Sequence, residues 1–224
     1  MQSRIRPNDS GRNIFLNALL AFISLFFNGF GVFLTIHASI GAGPWDVFSL
    51  GLSKTLSILY GTASIASSAA ILAIDIAMRE PIGIAMFIDA LTVGKSVDLF
   101  NYLGFIPVPE TLAGSIVMIL AGLTVMGYTQ CFYMRASLGC GPRDTLLVGL
   151  SKRIRRVPIG AVSIALLSLA TFVGWLLGGP VGIGTILCAF CSGPIMQLAF
   201  RTLNFDATGV HHQSLRESAK VLIS

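Results

Sequence analysis

Two stretches of this chain repeat one pattern that could do chemistry. Gly41-Ala42-Gly43-Pro44-Trp45-Asp46 and Gly139-Cys140-Gly141-Pro142-Arg143-Asp144 both read Gly-x-Gly-Pro-x-Asp. Two glycines permit a tight turn with positive φ, and a proline after them suits the first position of a helix, where its missing amide hydrogen is not needed. Helices are therefore expected to start at Pro44 and Pro142, with Asp46 and Asp144 in the first turn, where a carboxylate interacts favourably with the positive helix end. Free amides at such a start can bind an anionic group, and the aspartates could bind a cation or a proton. The plainer alternative is that each pattern stops one helix and caps the next.

A second set of polar groups, Asp89, Lys95 and Asp98, interrupts an apolar stretch over 82–103. Charges at membrane depth are costly unless they are paired or face protein or water. On a helix Lys95 and Asp98 lie about 60° apart and can pair, whereas Asp89 is about 180° from Asp98, so a straight helix cannot turn all three to one cavity. The expectation is a polar site or internal pair of Lys95 with Asp98, with Gly94 and Gly193 allowing close helix approach; a static structural pair is the alternative. The candidate substrate- or ion-binding set is thus Gly41, Gly43, Pro44, Asp46, Gly139, Gly141, Pro142, Asp144, Lys95, Asp98 and Asp89.

Other reactive residue types point to structure. Asp75 and Arg79 are spaced for a local i, i+4 pair. Cys131, Cys140, Cys188 and Cys191 lie in or beside apolar segments and read as packing residues, with too few ligands around them for a metal. His37 falls at the end of an apolar stretch, and His211 with His212 in a polar tail. No catalytic triad, phosphate loop or cofactor signature is present, so neither an enzyme nor a cofactor is expected.

The elements that must hold these residues are membrane helices. Of the 224 residues 54% are hydrophobic and 11% charged, and mean hydropathy is +0.81; a soluble domain carries about 25% charged residues. Apolar runs near 14–36, 60–78, 82–103, 111–134, 158–178 and 181–203 predict six spans. The run at 14–36 exceeds a signal-peptide core and reads as an uncleaved first span. With the N-terminus inside, thirteen of the 15 basic residues fall in cytoplasmic segments, which predicts both termini in the cytoplasm. The cluster Arg153-Arg155-Arg156 would anchor that face on anionic lipid. The net charge of +5 therefore calls for a bilayer as partner, not nucleic acid, whose recognition needs basic residues gathered on a folded surface.

The repeated pattern belongs to a longer duplication. Gly51-Leu52-Ser53-Lys54 matches Gly149-Leu150-Ser151-Lys152 at the same spacing of 98; after one inserted residue, at 99, Gly61 matches Gly160, Pro81-Ile82-Gly83-Ile84 matches Pro180-Val181-Gly182-Ile183, and Gly94 matches Gly193. Three spans per unit put the second unit in upside down. The expected fold is an all-α membrane protein of two inverted three-span repeats, each with a Gly-Pro-initiated half-helix after its first span. Its parts are a cytoplasmic segment 1–13, repeats 14–107 and 108–203, and a cytoplasmic tail 204–224.

The paired Gly-x-Gly-Pro-x-Asp elements, each followed by Gly-Leu-Ser, resemble the YczE/YyaS/YitT-type family of bacterial multi-pass membrane proteins over roughly residues 15–203. That resemblance implies the fold and the membrane location, with no substrate. The repeat itself points to a small-solute transporter or permease of the cytoplasmic membrane with a central site. A non-transporting scaffold or an aquaporin-like channel are the alternatives, and a homo-oligomer or a membrane partner protein is compatible with each.

Overall fold

The computed structural model describes residues 11–205 except Cys140 and Arg155, with side chains from Phe15 onward. The tail with His211 and His212, most of the N-terminal segment, and Arg155 of the basic cluster lie outside the described residues. Among those described, all regular structure is helical: α1 (Gly11–His37), α2 (Pro44–Leu56), α3 (Tyr60–Ala77), α4 (Ile84–Leu103), α5 (Leu112–Arg135), α6 (Pro142–Arg153), α7 (Ile159–Leu176) and α8 (Ile183–Thr202).

Helices α1, α3, α5, α7 and α8 are long and apolar enough to cross a membrane. The sequence predicts six spans; the sixth, α4, has the length at 20 residues but carries Asp89, Lys95 and Asp98. Helices α2 and α6 have 13 and 12 residues. At 1.5 Å per residue they reach about 20 and 18 Å, short of a hydrocarbon layer of roughly 30 Å.

Both short helices begin as their sequences dictate. Gly43 and Gly141 are the N-caps, a proline opens each helix, and Asp46 and Asp144 occupy the first turns. The chain reaches these starts through matching turns, with φ of 58° at Ser39 and 57° at Ser137, and 114° at Gly41 and 116° at Gly139. Each turn is stitched to the other half. Gly184 N–H donates to Ile40 O at 2.8 Å, and its counterpart Ala85 N–H donates to Leu138 O at 3.2 Å. A Cβ at Gly41 would meet the Gly182 nitrogen at 2.8 Å, and one at Gly139 would meet the Gly83 Cα at 2.8 Å, so glycine is needed there for space as well as for φ.

Packing follows the same correspondence. Helix α1 lies against α5 and α4, and α5 against α8; α2 lies against α7, and its counterpart α6 against α3. One pair departs from it. Helix α3 packs on α4 while α7 and α8 make no comparable contact. A Cβ at Gly94 would lie 2.9 Å from the Gly61 carbonyl oxygen, whereas Cβ atoms at the equivalent Gly193 and Gly160 would meet nothing within 4 Å. The expected close approach holds at Gly94 and fails at Gly193, because the second pair of helices stands apart.

Two expected ion pairs are replaced by other contacts. Lys95 is exposed and forms no salt bridge with Asp98 among the described residues. Asp98 Oδ1 instead accepts the Gly61 N–H at 2.8 Å, a first-turn amide of α3 with no partner inside its own helix. Asp75 does not pair with Arg79 either, because α3 ends at Ala77 and Arg79 turns to φ 56°. Asp75 is fully buried, and neither carboxylate oxygen has a hydrogen-bond partner. Among the described residues the ion pairs that do form join the α3–α4 turn to the end of α6: Glu80 meets Lys152 at 2.8 Å and Arg153 at 3.1 Å. The Lys152 hydrogen bond is the main reason the Glu80 carboxyl is held below its ordinary value of 4.5. Two members of the basic stretch are thus committed to protein.

Candidate functional site

The starts of α2 and α6 meet at a cavity of about 480 Å³ between the two halves. Gly43, Pro44, Trp45 and Asp46 line it from the first motif, and Gly141, Arg143 and Asp144 from the second. The walls also obey the repeat: Ser64 faces it with its counterpart Ser163, Ser68 with Leu167, Asp89 with Cys188, and Val93 with Ser192. Of the expected site residues, the structure gathers Gly43, Pro44, Asp46, Asp89, Gly141 and Asp144 at one place. Gly41 and Gly139 shape the turns behind it, and Pro142 is buried beside it. Lys95 and Asp98 lie elsewhere: since Asp89 is on the opposite face of α4, turning it inward turns them away.

The three carboxylates differ in their partners. Asp46 is 6% exposed, and its Oδ1 accepts the Tyr60 hydroxyl at 2.8 Å. Asp144 and Asp89 have neither a hydrogen bond nor an ion pair within the described residues. Asp144 is exposed and lines the cavity. Asp89 stands near it: a Cβ on Gly141 would lie 2.8 Å from Asp89 Oδ2 and 3.9 Å from Asp144 Oδ2.

One cation serves all three. Arg143 acts electrostatically on Asp46, Asp89 and Asp144, but approaches none within 4 Å. Its guanidinium instead lies 5.3 Å from the centre of the Trp45 ring, a cation–π distance. Trp45 and Arg143, which occupy the same motif position in the two copies, are therefore in contact with each other. Sequence spacing could not reveal this, since the two residues come from different halves, and the Tyr60 bond to Asp46 was equally silent. The duplication was the available signal: residues of both matched motifs line one cavity.

Among the described residues no group of three or more His, Cys, Asp or Glu is arranged to hold a metal ion. What the site offers is a partly polar chamber with two helix starts, a serine-lined wall, an aromatic face and acidic groups with free oxygens.

Comparison with known proteins supports a membrane protein and assigns no substrate. The chain is 32% identical over 184 residues to the uncharacterized membrane protein YczE of Bacillus subtilis, covering 80% of this chain and 82% of that one. It is 27% identical over 169 residues to an uncharacterized protein of Haemophilus influenzae, covering 75% and 76%, and 26% identical over 174 residues to the uncharacterized protein YyaS of Bacillus subtilis, covering 75% and 84%. No solved structure matches. A family model, described as a family of unknown function (DUF6198), matches residues 15–201; with its YczE and YyaS relatives, the chain belongs to that family of membrane proteins.

Proposed function

We propose that this protein is a small-solute transporter of the cytoplasmic membrane, with its binding site between two inverted three-span repeats. The observation that carries the reading is the convergence of both Gly-x-Gly-Pro-x-Asp helix starts on one cavity of about 480 Å³. Short helices that stop at mid-depth and point their amide ends at a shared chamber are a recurrent way to hold a solute between repeats. In this reading α4 is the sixth span, since its Asp89 faces the chamber and one oxygen of Asp98 accepts the Gly61 N–H. Helices α2 and α6 are re-entrant, which membrane-depth backbone tolerates when it is buried in protein or lines a wet cavity.

The inequality of the halves favours a carrier over a channel. Helices α3 and α4 touch at Gly61 and Gly94, while their counterparts α7 and α8 are apart at Gly160 and Gly193. Two equivalent helix pairs, one shut and one parted, are what alternating access requires of a repeat protein caught in one state. A continuous pore would part both.

Purified protein in liposomes tests the proposal by uptake of candidate solutes. Asp46→Asn and Asp144→Asn should abolish most of the flux while leaving insertion and folding intact. Flux undiminished in the double variant would refute a site at this cavity. Single cysteines at Ser53 and Ser151 in a cysteine-free protein should label from opposite sides; labelling from one side would refute the inversion.

A further inference from the structure

We infer that the cavity takes a small organic monocation, an alkylammonium or guanidinium compound, and that Arg143 is the internal stand-in for it. The substrate class rests on the transporter reading, but the site itself can be tested without it.

Charge balance is the first argument. Asp46, Asp89 and Asp144 line the cavity with a single basic residue, Arg143. Each short-helix start adds roughly half a positive charge, so with all three carboxylates ionised about one negative charge is left over. Unbalanced charge at membrane depth is expensive, and a bound monocation removes it. The second argument is the free hydrogen-bonding capacity. Among the described residues neither Asp89 nor Asp144 has a hydrogen bond or an ion pair. Ser68 is only 4% exposed and lines the cavity, and among the described residues its hydroxyl has no hydrogen-bond partner. That hydroxyl opens to the cavity, where it can accept a ligand N–H or bond to a water.

Chemical type follows from what Arg143 does. Its guanidinium rests against Trp45 among three carboxylates without closing on any of them. An aromatic face beside carboxylates is a recognition surface for a delocalised or alkylated cation. A bare metal ion does not suit it, since the carboxylates are not grouped as metal ligands. A volume of about 480 Å³ fits a small organic molecule.

The protein has two tryptophans, and Trp175 is exposed on α7. Trp175→Phe therefore leaves Trp45 as the fluorescent reporter of the site in the full-length, detergent-purified chain. Titration with n-butylammonium or methylguanidinium chloride should change its emission saturably, beyond the effect of sodium chloride. Asp89→Asn should weaken binding by about tenfold or more, the scale for losing a charge-assisted hydrogen bond. Arg143→Gln should strengthen it, because it removes the competing internal cation. Structural damage would weaken both, so the opposite signs are diagnostic. No saturable response to either cation, or saturation by acetate or sulfate instead, overturns the inference. Cation binding without flux in liposomes would refute transport and leave the site standing, whereas anion flux without cation binding would do the reverse.

Discussion

Gly94 and Gly193 occupy equivalent places in the two halves, and the structure predicts unequal outcomes when each becomes alanine. At Gly94 the added methyl would lie 2.9 Å from the Gly61 carbonyl oxygen, 3.0 Å from the Gly61 Cα and 3.2 Å from the Ser64 Cβ. Carbon atoms prefer about 3.5–4.0 Å, so α3 must move outward by roughly 0.5–1 Å. Overpacking of this kind costs about 1–3 kcal/mol. The displacement also strains the bond from Gly61 to Asp98, worth ~1 kcal/mol, while alanine returns up to ~1 kcal/mol of helix propensity. The net is a destabilisation on the order of 1–3 kcal/mol. At Gly193 nothing beyond its chain neighbours lies within 4 Å, but the next residue is Pro194 inside the helix. The proline ring disfavours the helical conformation of a preceding residue that carries a Cβ, which offsets the propensity gain and leaves a change near zero. For a chain of this length 1 kcal/mol shifts the midpoint by about 2–4 °C, so the two variants should differ by roughly 2–12 °C. Thermal unfolding of the purified protein, followed by far-ultraviolet circular dichroism, measures this directly. If Gly94→Ala unfolds at or above the wild-type temperature, or Gly193→Ala is destabilised as much as Gly94→Ala, the shut-and-parted description of the two helix pairs is wrong.

Three further outcomes follow from named contacts. Asp98→Leu should cost about 1–2 kcal/mol by orphaning the Gly61 amide, whereas Lys95→Met, at an exposed position without a partner, should change stability by less than about 0.5 kcal/mol; equal effects in the same unfolding assay would restore the pair that spacing suggested. Tyr60→Phe removes the donor to Asp46 and should alter flux or cation affinity with little loss of fold, which transport and Trp45 fluorescence would each read; unchanged values would remove Tyr60 from the site. Glu80→Gln should lower the unfolding midpoint at neutral pH. Because the folded Glu80 carboxyl lies below its ordinary 4.5, its contribution is full above that value and is lost as pH falls through the folded value, so the gap between variant and wild type should close in acid.

Much of this architecture could be read from the sequence because duplication and hydropathy are local, countable signals. The match of Gly41 to Asp46 with Gly139 to Asp144 located both short helices and, through their equivalence, the centre where they meet. Asp89 was correctly separated from Asp98 by helical geometry alone. What could not be read are choices among partners. Lys95 and Asp98 are well spaced for each other, but Asp98 also faces the unpaired first-turn amide of Gly61 on a neighbouring helix, while Lys95 points away. Nothing in the spacing 95 to 98 records which neighbour α3 will present. Likewise Gly193 looks like Gly94 in sequence, and only the separation of α7 from α8 makes one a contact and the other an open surface.

The exchange of short helices between halves has a consequence for how the protein is made. Helix α2 is seated on α7, and α6 on α3, so the first half contains a helix whose main support comes from the second. Synthesis must proceed from the end of α2 at Leu56 to the end of α7 at Leu176 before that support exists, a wait of about 6–24 s at 5–20 residues per second. During it the acidic start of α2 lacks the chamber that later encloses it. Biogenesis of this fold is therefore a late event governed by the last third of the chain, and residues 1–107 expressed without 108–224 should be captured by quality control, while the two fragments made together should recover each other.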